Sequence, residues 1–439
     1  MQATPFEYRR KQLLDKMPPH TAAVIGAAKE KSRNRDAEYP FRQDSDFFYL
    51  TGFNEPEAWL VLVKGEDYQQ SVLFNRAKNL EQEIWTGIRL GQEQALVELQ
   101  VDQAFALDEM PKQWLALFDG LTAIYYDFSR DDVDGAIKSC LRKMAQMQRT
   151  GVKPPRQLNE LSDWLHELRL VKSDEEVAIM RKSAQISAEA HCRAMQACQA
   201  GMFEYQIEAE IIHHFMHNGA RQPAYESIVA GGENACILHY TQNRSVLADG
   251  DLLLIDAGAE WNMYAADITR TFPVSGKFSP IQHKVYTIVL NAQRAAIDAV
   301  SPESSFDDYH QAAVRVITQG LIELGVLQGD FDALIKDEAY KPYYMHKTGH
   351  WLGMDVHDVG AYKTEGAFRQ LKPGMVLTVE PGLYFGLHLK GKVADELLGI
   401  GIRIEDDVLV TDAGCEILTD GVPKDIDAIE SLMSGGVSV

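Results

Sequence analysis

Asp256 and Asp267 stand in the stretch DAGAEWNMYAADITRT, and their spacing is the first sign of chemistry. Residues 252–255 just before it are an apolar run, the pattern of a buried strand. Trp261 and Asn262 suit the tip of a two-residue hairpin loop, because Asn tolerates positive φ. In that register Glu260 faces Met263 and Asp256 faces Asp267, with Cα atoms roughly 4.5–5.5 Å apart. Like charges so placed destabilise a sheet, and buried carboxylates need a counter-charge. A divalent cation held by both meets each demand. Taken alone, the pair also fits one turn-capping and one solvated Asp, so other residues must decide.

They lie far along the chain. His346, His350 and His357 fall close together among glycines, which let a side chain approach an ion without steric cost. Glu380 precedes a Pro-Gly turn at an expected strand end, and Glu405 is expected on a strand within IRIEDD. With the two aspartates these supply four carboxylates and an imidazole, a donor set suited to Mn²⁺, Co²⁺ or Fe²⁺. Four carboxylate charges balance two divalent ions, which points to a paired site about 3.5–4 Å across. The adjacent His213 and His214 are different. On a helix they point to different faces, so they are expected to be structural or solvated.

Composition bounds the rest. A chain of 439 residues with 46% hydrophobic content should form two or three domains. The net charge of −21 argues against nucleic acid and anionic membrane as partners and is compatible with a cationic substrate such as a peptide amino end. No apolar run is long enough to span a membrane, and the opening residues 1–17 read as a charged amphipathic helix rather than a secretory signal. Five scattered cysteines show neither zinc spacing nor a disulfide framework, so a cytoplasmic location is expected.

The elements that must position these residues fall into two regions. Over residues 1 to about 150, strands at 22–26, 47–50, 59–63, 72–74 and 124–126 alternate with helices at 79–98 and 131–148, an α/β domain with a mixed sheet. The charged, aromatic segment 34–59 reads as a surface loop over that sheet. No phosphate-binding glycine motif is present, so nucleotide binding has no support. The prolines of TGVKPPRQLNE (150–160) mark a joint. Beyond it come a helix, a long helix capped by Ser173 and Glu176, another ending at Gly219, and a strand, turn and second strand over 227–243 bearing His239. The aspartate hairpin, helices at 281–300 and 306–324, and a Gly-rich, strand-like final hundred residues follow. Two helices, strands, two helices, strands is the order of an internally duplicated α+β domain.

The order D-x10-D, H, E, E, in the contexts DAGAE, DITRTFPVSG, GHWLGMDVHDVG, TVEPGLY and GIRIEDD, resembles the metallopeptidases of the pita-bread fold. YPFRQDSDFFYLTGFNEPEA and EIWTGIRLG are similar to the Xaa-Pro aminopeptidase (aminopeptidase P) subfamily. The resemblance runs from about residue 5 to 430. It implies a creatinase-like α/β domain over 1–170, a pita-bread catalytic domain over 171–439, and a homodimer or homotetramer. It implies two metal ions, usually Mn²⁺, held by Asp256, Asp267, His350, Glu380 and Glu405, with Asp267 and Glu405 bridging. The implied reaction is attack of a metal-bridging hydroxide on an Xaa-Pro bond, releasing the N-terminal residue. Glu380 would accept the proton, and His239 and His357 would flank the scissile bond. Arg403 would orient the carboxylates, and His346 would meet the extended substrate. Asp36, Trp85 and Tyr384 match positions that line or close the cleft, the first two from the first domain, of this chain or of a neighbouring subunit. Two departures are Lys347 and Thr348, where the family more often has Gly and a small residue, which alters charge at the cleft mouth. A prolidase, cutting only Xaa-Pro dipeptides, shares every ligand and is the alternative. Noncatalytic pita-bread binding modules typically lose ligands, and none is lost here.

Overall fold

The computed structural model describes residues 4–435. The expected opening helix and domain ranges reach residues 1–3 and 436–439, which lie outside the described residues. The chain divides into two compact units, one up to Arg169 and the other from Leu170 onward.

The first unit is built on six strands: β1 (Thr21–Gly26), β2 (Trp59–Lys64), β3 (Gln69–Asn75), β4 (Gln103–Ala106), β5 (Ala123–Tyr126) and β6 (Gln157–Glu160). They lie in the order β4-β3-β2-β1-β5-β6. β1–β2 and β2–β3 are antiparallel and the other pairs parallel, so the sheet is mixed. Several expectations need correction. Residues 47–50 are not a strand but part of the helix Ser45–Thr51, capped by Asp44 Oδ1 on the Phe47 N–H and stopped by Gly52 at φ 65. A four-residue apolar run fits helix or strand equally, and the caps decide. The single helix expected over 79–98 is two, Leu80–Thr86 and Gly91–Glu98, broken at Gly87 and Gly91, both at positive φ. Segment 34–59 is not all loop, since it holds that capped helix. The double-proline segment is no joint, because β6 pairs with β5 inside the first unit. β4 and β6 were absent from the expected strands; both are edge strands of only four residues, too short to carry a clear alternation.

The second unit repeats a plan of two helices followed by an antiparallel sheet. In the first half, α1 (Asp174–Ala197) and α2 (Glu204–His217) precede β7 (Ile228–Gly231), β8 (Leu252–Asp256) and β9 (Thr269–Pro273), ordered β7-β8-β9. In the second, α3 (Pro280–Asp298) and α4 (Asp308–Glu323) precede β10 (Val376–Val379), β11 (Gly382–Tyr384), β12 (Gly401–Arg403), β13 (Asp406–Thr411) and β14 (Gly414–Ile417), where β10, β13 and β14 form the sheet and β11 pairs with β12. Helix starts follow sequence chemistry: Ser173–Glu176 and Ser279–Gln282 are capping boxes, the latter with Pro280 in the first turn. The halves are stitched where the Glu405 N–H donates to Thr269 O (3.0 Å) and Thr271 Oγ1 bonds both the N–H and the C=O of Arg403.

The aspartate hairpin differs from expectation by one residue at its tip. Glu260 pairs with Ala265 and Trp261 with Tyr264, so the loop is Asn262-Met263. Both residues have positive φ, 49 and 71, as a type I′ turn requires, and bulky Trp261 is spared that conformation. Asp256 therefore faces Thr269, not Asp267. The shift moves each pairing by two residues, so every side chain keeps its face, and Asp267 still points toward the site. Gly258 is forced by the ladder here, since a Cβ on it would fall 1.7 Å from the Ala266 carbonyl oxygen. Two further corrections concern the site. There is no second strand bearing His239; a short 3-10 turn (Gly232–Cys236) and a loop take its place. Buried Glu204 ties that loop down, accepting from Gly231 N, Asn234 Nδ2, Tyr240 OH and Ser245 N. Glu405 is not in a strand but in the break between β12 and β13.

The backbone after Asp256 is clamped by a polar stripe on α1. Ser183 Oγ donates to Ala259 O (2.8 Å), Ser187 Oγ accepts from Ala259 N (2.9 Å), and His191 Nε2 donates to Ala257 O (2.9 Å). These residues recur at i, i+4 and i+8, one helix face. His191 is fully buried, and burial holds its pKa down at about 4 despite that hydrogen bond. It is neutral in the fold but protonates in the unfolded chain near 6.5. Stability should therefore fall as pH drops from 6.5 toward 4, by about 3 kcal/mol from this group. Denaturant unfolding of wild type and His191→Asn across that window should show a shallower acid decline in the variant; parallel profiles would contradict the assignment.

Candidate metal centre

A cavity of about 890 Å³ opens in the second unit, and its lining includes Asp256, Asp267, His350, Glu380 and Glu405, with Arg403, His239, His346 and His357. Donor atoms of Asp267, His350 and Glu405 all lie within 4.8 Å of one another. His350 Nε2 is 3.5 Å from Asp267 Oδ2 and 3.6 Å from Glu380 Oε1. Five residues from five chain segments thus face one space.

Each is held from behind. The His350 ring gives its Nδ1–H to Trp351 O (2.9 Å), which turns Nε2 toward the acids. Thr378 accepts the His350 N–H and donates to Glu380 Oε1, so one hydroxyl orients two ligands. A Cβ on Gly349 would meet Thr378 O at 1.9 Å, which fixes glycine beside the ligand. Thr269 Oγ1 donates to Glu405 Oε2 at 2.6 Å. Tyr225 OH reaches both Asp256 Oδ1 (2.6 Å) and Asp267 Oδ1 (2.5 Å), while the Asp267 N–H donates to buried Asp407. Behind Glu405, Arg270 holds the carbonyls of Thr269 and Glu405 and pairs with Asp406 (2.7 Å), whose other partners are Gln293, Thr419 and Lys424. Burial raises the Asp406 pKa, but Arg270 and Lys424 outweigh it and bring it to about 2.

The electrostatics are those of a site short of positive charge. Burial, reinforced by neighbouring carboxylates, raises Asp267, lifts Glu405 well above its ordinary range and brings Glu380 to about 7. Burial alone would depress His350, yet Asp267 and Glu380 carry it to about 9. The proton those acids place on His350 is charge that a cation would supply. Arg403 meets part of the demand through Asp256 (2.5 Å), its other arms going to Tyr384 OH and Thr269 Oγ1. Oxygen-rich donors, one free imidazole nitrogen and excess buried negative charge fit divalent cations. Burial keeps His346 neutral, at about 3, and His357 at about 4.

The remaining expected residues are placed as follows. The His357 ring centroid lies 3.9 Å from that of His350 with the planes tilted by 36°, and His239 is exposed on the cavity wall. His346 Nε2 bonds Tyr384 OH (2.9 Å). Tyr384 itself is buried behind His346 and Arg403 and is not among the lining residues. Every lining residue belongs to the second unit, whereas Asp36 and Trp85 belong to the first. Asp36 sits at positive φ (62) between two short strands, and Trp85 is 84% exposed on the helix Leu80–Thr86. Sequence reasoning missed Tyr225, Thr269 and Thr378. It set Thr348 at the cleft mouth, whereas Thr348 is buried, with its Oγ1 2.7 Å from His310 Nδ1 and 2.6 Å from Tyr344 OH, two partners that it missed. The repeated Thr in DITRT was the one available signal.

Residues 178–412 match the family model described as metallopeptidase family M24, and residues 6–125 match that of the aminopeptidase P N-terminal domain. The chain belongs to metallopeptidase family M24, in the aminopeptidase P branch. As a member of that family it is 48% identical to the Xaa-Pro aminopeptidase of Escherichia coli, over 98% of this chain and 97% of that protein. It is 45% identical to the Xaa-Pro aminopeptidase of Haemophilus influenzae over the same shares. Among solved structures, Pseudomonas aeruginosa aminopeptidase PepP superposes with a TM-score of 0.96 at 48% identity, covering 99% of each chain. Zinc-substituted E. coli aminopeptidase P in complex with product does so with a TM-score of 0.96 at 47% identity, also covering 99% of each. The expected α/β domain followed by a duplicated α+β domain is therefore the architecture of this family. No helix among the described residues is long and apolar enough to cross a membrane.

A cation that relieves the buried repulsion must stabilise the fold. Metal-stripped protein given Mn²⁺ at a hundred times its Kd should melt roughly 5–10 °C higher, and Asp267→Asn should lose that gain in differential scanning fluorimetry. An equal shift in both proteins would place the binding elsewhere.

Proposed function

We propose that the chain is a metal-dependent Xaa-Pro aminopeptidase, removing the N-terminal residue from peptides whose second residue is proline. The observation that carries it is the meeting of Asp256, Asp267, His350, Glu380 and Glu405 in one cavity of a chain that resembles such enzymes over its full length. These five are the residues that would hold two divalent ions. Such ions, when bound, act as Lewis acids on the scissile carbonyl and make water nucleophilic near neutral pH.

The chain's own residues supply the rest. The same site would take the substrate's free α-amine, which only a chain end presents. Glu380, with a pKa drawn toward neutrality, is matched to accept a proton from the attacking water at Oε and deliver it to the proline nitrogen. His239 and His357 reach into the cavity as donors toward the developing oxyanion. His346 bears on the extended substrate, with Tyr384 fixing its ring. Arg403 fixes Asp256 through a charged hydrogen bond. Asp36 and Trp85 remain candidates for closing the cleft.

The finer assignments rest on chemistry. Mn²⁺ is proposed because the donors are mainly carboxylate oxygen and no thiolate is among them. A homodimer or homotetramer is proposed because Leu80, Ile84, Trp85 and Ile88 leave an apolar patch 81–87% exposed on one short segment. A cytoplasmic location is proposed from five cysteines that are all unpaired. Prolidase activity is the other reading, and the likeness to the Xaa-Pro aminopeptidases of E. coli and H. influenzae favours the aminopeptidase.

Arg-Pro-Pro should be cleaved much faster than the dipeptide Arg-Pro; cleavage of the dipeptide alone would make the chain a prolidase. Glu380→Gln should lower kcat by roughly 10²–10⁴-fold with a small change in KM, as loss of a general acid-base does. Metal content measured on the same sample separates that loss from loss of a ligand, and wild-type kcat in a metal-loaded variant would remove Glu380 from proton transfer.

A further inference from the structure

Lys347 is the departure in the sequence that the proposed chemistry leaves unused. It lines the cavity three residues before His350, and its side chain is 65% exposed. The cavity lining holds two permanently charged cations, and they differ in kind. Arg403 is buried and committed to Asp256, Tyr384 and Thr269. Among the described residues, Lys347 Nζ makes no hydrogen bond. Its nearest carboxylate, Asp307 Oδ1, is 3.7 Å away, and Asp307 already accepts from Gln311. Asp307 is too far to satisfy the ammonium and near enough to hold it at this wall.

That wall is apolar and aromatic. Phe306 contacts Tyr362 edge-on with ring centroids 4.7 Å apart, and both line the cavity together with Phe368. Lys347 Nζ lies 6.0 Å from the Phe368 ring centroid, and Lys363 Nζ lies 4.5 Å from the same ring. A cationic edge thus borders an aromatic wall in the cavity that also holds the proposed metal ligands. The polarity gives a bound peptide a direction. Its α-amine goes to the proposed metal site, and the residues beyond the scissile bond extend along the rest of the cavity. A negative charge further along the peptide meets the lysine edge.

We propose that Lys347 is a specificity-determining residue that binds a carboxylate of the leaving peptide, either the side chain of an acidic third residue or the free C-terminus of a tripeptide. This rests on the aminopeptidase reading above. Because Lys347 is solvated, the gain is that of an exposed ion pair, about 2- to 5-fold in kcat/KM. It should lie in KM, since a remote contact made equally in ground and transition states does not alter kcat, and it should shrink in high salt.

The test compares kcat/KM of the metal-loaded enzyme on Ala-Pro-Glu-amide against Ala-Pro-Gln-amide, and on Ala-Pro-Ala as free acid against its amide. Wild type should prefer the charged member of a pair, Lys347→Ala should level the preference, and Lys347→Glu should reverse it, with the neutral substrates cleaved alike by all three. Cleavage of the neutral peptides without charge preference, or a preference that survives in Lys347→Ala, overturns the inference. A preference that appears instead for Glu-Pro-Ala-amide over Gln-Pro-Ala-amide and vanishes in Lys347→Ala overturns it too, by moving the contact to the first residue. Failure to cleave any of these peptides would instead count against the aminopeptidase reading itself.

Discussion

Four carboxylates that share one buried space cannot all stay ionised unless positive charge joins them. The rest of the second unit can be understood from that constraint. Burial raises Asp267, Glu380 and Glu405, and the same acids force a proton onto His350. A sequence that keeps such a cluster bears a standing electrostatic cost, and replacing it with apolar side chains would be neutral or better for stability. Ligand binding is the reason to retain it.

The fold supplies the rigidity that this arrangement demands. The five proposed ligands come from a strand end (Asp256), a hairpin limb (Asp267), a glycine-flanked loop (His350), a second strand end (Glu380) and a strand break (Glu405). None is held by its own element alone. Hydroxyls of Thr269, Thr378 and Tyr225 each touch one or two of them, and the stripe Ser183, Ser187 and His191 pins the backbone beside Asp256 from the first helix pair. The buried Arg270–Asp406 pair does the same for Glu405, by holding its carbonyl rather than its carboxylate. Duplication makes this possible, because the two antiparallel sheets deliver strand ends to one place and are joined through Thr269, Thr271 and Arg403.

The residues that meet in the cavity were legible because most sit in a local pattern: acids flanking a hairpin, histidines among glycines, a glutamate before Pro-Gly. The mixed first sheet was legible for the same reason, through apolar runs such as 59–63. What failed was whatever tertiary contacts decide. The hairpin tip moved by one residue because Asn262 and Met263, rather than Trp261, take the left-handed conformation. Residues 47–50 became helix through caps outside the apolar run. His239 lost its strand to a loop organised by Glu204, thirty-five residues earlier. Tyr225 was invisible because a tyrosine before a strand carries no periodic signal, and only the fold brings it against two aspartates.

The central claim is that these five side chains grip two cations between them. Anomalous diffraction at the manganese edge, from crystals grown with Mn²⁺, tests it most directly. The account predicts two peaks about 3.5–4 Å apart, enclosed by Asp256, Asp267, His350, Glu380 and Glu405. A cavity without anomalous density, with these acids turned away from any common centre, would contradict it.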